Sequence, residues 1–355
     1  MNKKRILIYG LVLAVLAVLV YFQFRTWKNF DWPTFWAEWR MLQPLHILNG
    51  ALLIYASYFL RALRWKIFLR PVRKDASVLG MVPPTVIGFT GLALLGRPGE
   101  LIRPYLIARR EGLTFSSQIA VWAVERIFDI GAFALLLVAA IFLPGTALHS
   151  LAEYDKVKIF GLLFMALAGG LALGAVLVER SGEALALWVE RRFSHLAANL
   201  GNVIAQKVRE FHRGLDTIHG PLALLEIAAV SLLMWFGIAL AYLQVIHAYG
   251  PALDGMTLSN VFPLMGSSMV GSLIQLPGVG GGSQLATISA LQHIFHVPHE
   301  LAASCGILLW LATFVSVIPV GLILAHFERL SLRKLSEESG RQEQEELLTA
   351  PPASS

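Results

Sequence analysis

An all-α polytopic membrane protein, with about six full transmembrane helices and two broken or re-entrant hairpins, is the fold class this sequence predicts. Three observations predict it. Hydrophobic residues fill 56% of the 355 positions. Charged residues fill only 15%, against about 25% in soluble chains. The apolar residues also fall in runs near the ~20 residues that a helix needs to cross a bilayer. Mean hydropathy is +0.64. A pair of soluble domains with this composition would leave large apolar patches in water.

The first apolar run, 6–24, follows Lys3, Lys4 and Arg5. No small-residue cleavage site follows it, so it reads as a retained helix rather than a removed leader. An aromatic segment comes next, 27–42, where Trp27, Trp32, Phe35, Trp36 and Trp39 have the make-up of an interfacial helix. Charge-free stretches then run 41–60, 77–96, 159–178, 227–253, 255–299 and 301–327. Between Gly112 and Ala152 only Glu125, Arg126 and Asp129 are charged. Gly170 and Gly174 form a small-xxx-small pair suited to close helix packing, within one chain or in a homo-oligomer. Residues 181–218 read as an amphipathic cytoplasmic helix. Residues 1–330 thus make one transmembrane domain, and 331–355 a disordered cytoplasmic tail.

Orientation follows from the cations. Lys and Arg cluster in 3–5, 61–74, 97–110, 180–213 and 329–334, whereas 145–157 and 250–300 hold only Lys156. The positive-inside rule puts both termini in the cytoplasm, in an inner membrane. Segment 77–96 is basic at both ends and contains Pro83, Pro84, Gly88, Gly91 and Gly96, which predicts a hairpin entering from and returning to the cytoplasm. Segment 255–299 is the mirror case. Its interruptions at Pro263, Gly266, Gly271 and Pro277–Gly282 predict either a hairpin from outside or two short crossings. Paired interruptions in the two halves of a chain are a pointer to a transporter's binding site; glycine and proline are also simply common in membrane helices.

Composition excludes several function classes. Cys305 is the only cysteine, so no disulfide framework or thiolate metal cluster exists. The net charge of +6 lies between apolar runs, where it orients a membrane protein and meets anionic lipid; no nucleic-acid module accompanies it. No Lys-Ser/Thr follows the glycine run, so it is not a nucleotide loop. His293, His296 and His299 read as interfacial residues rather than metal ligands, and no cofactor or metal is expected.

Charges beside apolar runs are the best functional leads. In Gly96-Arg97-Pro98-Gly99-Glu100-Leu101-Ile102-Arg103, Glu100 and Arg103 are helix-face neighbours. Pro98 and Gly99 mark a helix start, and arginine suits phosphate oxygens. This corner reads either as a phosphate-binding site or as a capped boundary with a surface ion pair. In Glu125-Arg126-Ile127-Phe128-Asp129, the two carboxylates share a face and Arg126 reaches Asp129 at i+3. That set is either an ion pair fastening helices or a polar gate or proton relay beside Glu100. The third lead is Gly278, Gly280 and Gly281 with Gln284, where backbone can approach a ligand and a helix starts at Ser283.

Together with Arg61-Ala62-Leu63-Arg64-Trp65-Lys66, these motifs resemble the lysylphosphatidylglycerol synthase transmembrane-region family, also called flippase-like or UPF0104 membrane proteins, over about residues 45–330. The resemblance implies a relative of the synthase half credited with moving aminoacylated phospholipid between leaflets. It makes Arg97, Glu100, Arg103, Glu125, Arg126 and Asp129 the polar lining. The sequence departs from the family's P-G-G-x-G-x-x-E at Val279 and at Gln284, which replaces an acid. After Phe327 only 28 residues follow, so this chain alone is not expected to aminoacylate lipid. The expected function is translocation of a phosphate-containing phospholipid or polyprenyl-type lipid, aminoacylated or glycosylated. The alternatives are a non-transporting partner of a lipid-modifying enzyme and, more weakly, an enzyme acting on lipid phosphates.

Overall fold

The computed structural model describes residues 30–143, 146–193, 221–273, 275–276 and 280–328. The predicted first helix (6–24), Gly278, positions 194–218 of the amphipathic segment and the tail 331–355 lie outside these residues. Among the described residues the chain is helical apart from short turns and one two-residue ladder.

Helix α1 is Trp32–Arg40, capped by Asp31, whose Oδ1 accepts from Thr34 N at 3.3 Å. Phe30 and Phe35 are buried with Ala303, while Trp32 and Trp36 stay exposed. Helices α2 (Pro44–Leu69) and α7 (Pro221–His247) pack along each other and form the central pair. Gly50 makes the approach possible, because a Cβ there would stand 2.8 Å from Val245 Cγ2. Helix α5 (Phe115–Phe142) and α6 (Tyr154–Phe193) lie against one another. In α6 a kink at Ser181 (φ −138, ψ 26) falls where the amphipathic segment was expected to begin.

The first broken element differs from expectation. Val78–Leu95 is one continuous helix, α3, despite Pro83 and Pro84. The missing N–H groups would have served the carbonyls of Leu79 and Gly80 in the first turn, where the chain end is exposed. No return occurs within 77–96; a helical hairpin forms over 78–111 instead. It turns at Gly96 (φ 70) and returns through a 3₁₀ turn, Arg97–Leu101, and helix α4, Ile102–Glu111. Gly88 and Gly91 do not break α3; they let α4 approach. A Cβ on Gly88 would meet Arg103, one on Gly91 would meet Ile102, and one on Gly99 would fall on the Gly91 backbone. Arg73 Nε donates to Glu111 O at 2.9 Å and holds the two open ends of this hairpin together.

The second broken element folds as two short helices joined by a tight ladder, the arrangement that both expected alternatives share. Helices α8 (Leu258–Gly271) and α9 (Gly282–His293) pack side by side and are each only ~18–21 Å long. Their tip carries the ladder β1 (Gln275–Leu276) with β2 (Gly280–Gly281), in register Gln275 to Gly281. Gly281 takes φ 83, which a side chain would strain. Helix α10 (His299–Trp310) continues through a π-helical turn, Leu311–Val315, into α11 (Val317–Phe327). That break within 301–327 was not foreseen.

Four helical segments are long and apolar enough to cross a membrane: Val78–Leu95, Tyr154–Gly174, Leu222–His247 and His299–Phe327. Helices α2 and α5 have the length, about 39 and 42 Å, but carry the charges described below. Leucines 162, 163, 167, 173 and 177 of α6 face outward. A Cβ on Gly170 or Gly174 would meet nothing within 4 Å. This pair therefore makes no close packing among the described residues.

Candidate functional site

The sequence treats Arg61 and Arg64 as cytoplasmic loop cations. They instead sit inside α2, on the helix face that also carries Trp65. Arg61 is 6%, Arg64 0%, Arg103 4%, Glu125 0% and Asp129 2% exposed, so five ionised side chains are removed from solvent together. Such burial is tolerable only if the charges answer one another.

Arg64 is the hub. Its Nη2 donates to Glu125 Oε1 at 2.5 Å, and its Nη1 donates to Asp129 Oδ1 and to Ser231 Oγ, both at 2.7 Å. Arg103 pairs with the other oxygen of Glu125. Arg61 Nη1 lies 3.3 Å from Asp129 Oδ2, and Trp235 Nε1 donates to Asp129 Oδ1 at 3.2 Å. Glu125 and Asp129 thus share a face, as their i, i+4 spacing requires, and tie α2, α4, α5 and α7 together. The cations also lie on aromatic faces: Arg103 is 4.3 Å from the centroid of Trp65, and Arg61 4.9 Å from that of Phe89. Trp65 is itself held by Gln118, which accepts its indole N–H at 3.0 Å.

An outer tier sits at the tip of the first hairpin. The expected Glu100–Arg103 pairing does not form, because Arg103 turns inward to Glu125. Glu100 accepts from Arg97 at 2.8 Å and lies 3.8 Å from Arg126. Arg126 reaches Asp129 only loosely, at 3.8 Å. Arg97 Nη2 donates to Ser272 O at 3.1 Å, at the tip of the second hairpin. One side chain therefore joins the tips of the two interrupted elements.

Five arginines (61, 64, 97, 103, 126) face three carboxylates (100, 125, 129), an excess of two positive charges. Arg61 Nε, Arg64 Nε, Arg103 Nη1 and Arg126 Nε are buried donors with no hydrogen-bond partner. The cluster can accept an anion with oxygen acceptors, which would remove both deficits. No group of three His, Cys, Asp or Glu suited to a metal occurs among the described residues.

The remaining sequence candidates lie elsewhere. Gly280 and Gly281 form the hairpin ladder and Gln284 stands on α9, one residue-pair into a helix that starts at Gly282 rather than Ser283. No hydrogen bond or ion pair links these three to the arginine cluster among the described residues. Arg61, Arg64, Ser231 and Trp235 were missed as site residues. The signal for the arginines was present, since Arg61 and Arg64 are three apart and continue the 41–60 helix without a breaker.

An all-helical membrane protein, with two packed hairpins whose tips meet beside a buried arginine–carboxylate cluster, is the class this geometry defines. The family model of the lysylphosphatidylglycerol synthase transmembrane region matches residues 7–321, and the chain belongs to that family. The family is one of membrane proteins of lipid metabolism. No curated protein and no solved structure matches this chain.

Proposed function

We propose that this chain moves a phosphate-bearing lipid between the leaflets of the inner membrane, as a flippase or scramblase. The observation that carries this reading is the excess of two positive charges, with four unpartnered guanidinium N–H groups, next to the junction of the two hairpins. A lipid phosphate brings the charge and acceptors that the cluster lacks, and its acyl chains remain in the bilayer. Hairpins entering from opposite sides give the head group an approach from each leaflet. In this reading α2 and α5 join the first helix, α6, α7 and α10–α11 as six full spans, with both termini cytoplasmic. The lipid is a phospholipid or a polyprenyl-type lipid.

Glu125 is engaged by two arginines and Asp129 by three, an arrangement that favours anchoring over proton relay or general-base chemistry. Glu100, at the tip of the first hairpin, is the carboxylate whose closest partner, Arg97, is half-exposed. Purified chain in phospholipid vesicles should accelerate flipping of a fluorescent phospholipid, measured by chemical quenching of the outer leaflet. Arg97→Ala and Glu100→Gln should each abolish that acceleration with expression and melting temperature intact. Wild-type rates in both variants would reject the site. Co-purification of a lipid-modifying enzyme, with no flipping by the chain alone, would favour the partner reading.

A further inference from the structure

The charge surplus of the arginine cluster is divided between its two tiers. The inner tier sets Arg61, Arg64 and Arg103 against Glu125 and Asp129, all five buried. The outer tier sets Arg97 and Arg126 against Glu100. Arg126 also lies 3.8 Å from Asp129, which joins the tiers without altering either sum. Each tier therefore holds one positive charge that no carboxylate answers. The unpartnered N–H groups follow the same division: Nε of Arg61, Nε of Arg64 and Nη1 of Arg103 inside, Nε of Arg126 outside. Arg97 and Arg126 are partly exposed, so the outer tier is the open side.

A cationic head group finds no partner in this cluster. An ammonium is held by a carboxylate or over an aromatic face. Each of the three carboxylates is already engaged by at least two arginines. The aromatic faces are taken as well. Arg103 lies over Trp65 and Phe89, Arg61 over Phe89 and Arg126 over Trp122. An amine brought here meets guanidinium groups, and like charges at that range repel.

The number of negative charges matters too. A phosphodiester carries one and leaves one tier unanswered. A phosphomonoester carries about −1.5 to −2 at pH 7 and presents three strong acceptor oxygens. A diphosphate supplies one phosphoryl group for each tier. We propose that the cluster selects a lipid whose head group ends in a phosphomonoester or a diphosphate, without an amine, over phosphodiester, zwitterionic and aminoacylated lipids. This rests on the reading of the cluster as a lipid-phosphate site and adds the charge of the head group to it. The arginines read the phosphate alone, so the same chemistry is met on a diacylglycerol or a prenyl chain.

The test is the apparent melting temperature of the purified full chain in a neutral detergent, titrated at matched ionic strength. The probes are phosphatidate, farnesyl diphosphate, phosphatidylglycerol, phosphatidylcholine, lysyl-phosphatidylglycerol and inorganic pyrophosphate. A ligand that binds only the folded state raises stability along its binding curve. Phosphatidate and farnesyl diphosphate should act at about tenfold lower concentration than phosphatidylglycerol, the worth of one further charge-assisted contact, and the tighter of the two names the chain. Phosphatidylcholine and lysyl-phosphatidylglycerol should give no shift. Arg97→Gln leaves Arg126 balanced by Glu100 and should bring phosphatidate down to the phosphatidylglycerol midpoint. Arg126→Gln leaves Arg97 balanced in the same way and should do likewise, so a folding defect in one variant leaves the other to decide. Equal midpoints for phosphatidate and phosphatidylglycerol, a shift with lysyl-phosphatidylglycerol, or a preference that survives both variants would overturn the selectivity and leave the lipid-phosphate reading standing. Pyrophosphate matching the lipids would overturn a lipid as the ligand. No shift with any phosphate lipid would remove the lipid-phosphate reading itself and the selectivity with it.

Discussion

Glu125→Gln is the most informative single change, because it removes one charge and almost no volume from a site with 0% exposure. Glu125 holds Arg64 at 2.5 Å with one oxygen and Arg103 with the other. Arg64 keeps Asp129 and Ser231 after the substitution, but Arg103 is left with the face of Trp65 and no carboxylate. Coulomb attraction at ~4 Å with an effective dielectric near 20 is about 4 kcal/mol per pair. Removing one partner of a buried pair typically costs about 3–5 kcal/mol. At about 2–4 °C per kcal/mol, the apparent melting temperature should fall by roughly 6–20 °C. Glu100→Gln removes a charge whose first partner, Arg97, is half-exposed, and should cost under about 1 kcal/mol. The assay is a thermal melt in detergent followed by size-exclusion chromatography, with Arg103→Gln and the Glu125→Gln/Arg103→Gln double variant completing a cycle. The double variant should lose less than the sum of the singles, because neither charge is then stranded. Melts of Glu125→Gln and Glu100→Gln within about 2 °C of each other would refute a buried, mutually neutralising cluster.

Other outcomes follow from packing and surface charge. Gly99→Ala places a Cβ on the Gly91 backbone and should destabilise the first hairpin by about 1–3 kcal/mol or more, whereas Gly131→Ala, with nothing within 4 Å, should be neutral or slightly stabilising. Thermal melts of the pair distinguish the two. Gly321→Ala should likewise open the α3–α11 contact, since its Cβ would overlap Thr90, and limited proteolysis should then cut within 77–111. At the surface, Lys156 lies 2.5 Å from Glu153 and holds its carboxyl below the usual glutamate range, chiefly through their hydrogen bond. That contribution is present above the ordinary glutamate value and lost as pH falls through the lowered one. Lys156→Met should move the Glu153 titration, read by NMR, back up.

The apolar runs made the membrane fold legible, because a bilayer demands length and hydrophobicity in a form that composition displays directly. Runs 159–178 and 227–253 each fall largely within one observed helix, and 301–327 within two helices joined by a π-helical turn. The hairpins were legible as interruptions, but their geometry was not. Pro83 and Pro84 looked like breaks, yet their lost hydrogen bonds fall in the first turn, while Gly88 and Gly91 served the approach of Arg103 and Ile102. Glu125 and Asp129 announced themselves as a helix face inside an apolar run. Arg61 and Arg64 did not, since a cation at the end of an apolar run looks the same whether it enters the loop or continues one more helical turn. Partner choice is also tertiary: Glu100 and Arg103 satisfy a local spacing, but the buried Glu125 competes successfully for Arg103.

The tips of the two hairpins meet at Arg97 and Ser272, beside the arginine cluster. Cys305 is the only cysteine and is buried, so a Cys305→Ala background leaves thiol chemistry clean. In that background, Arg97→Cys with Ser272→Cys should be joined within one chain by a short bifunctional thiol reagent in native membranes. The same reagent should not join Arg97→Cys to a cysteine at Leu162, on the outward face of α6. Efficient joining of the first pair alone is the predicted result; equal joining of both pairs, or of neither, would contradict a junction between the hairpins.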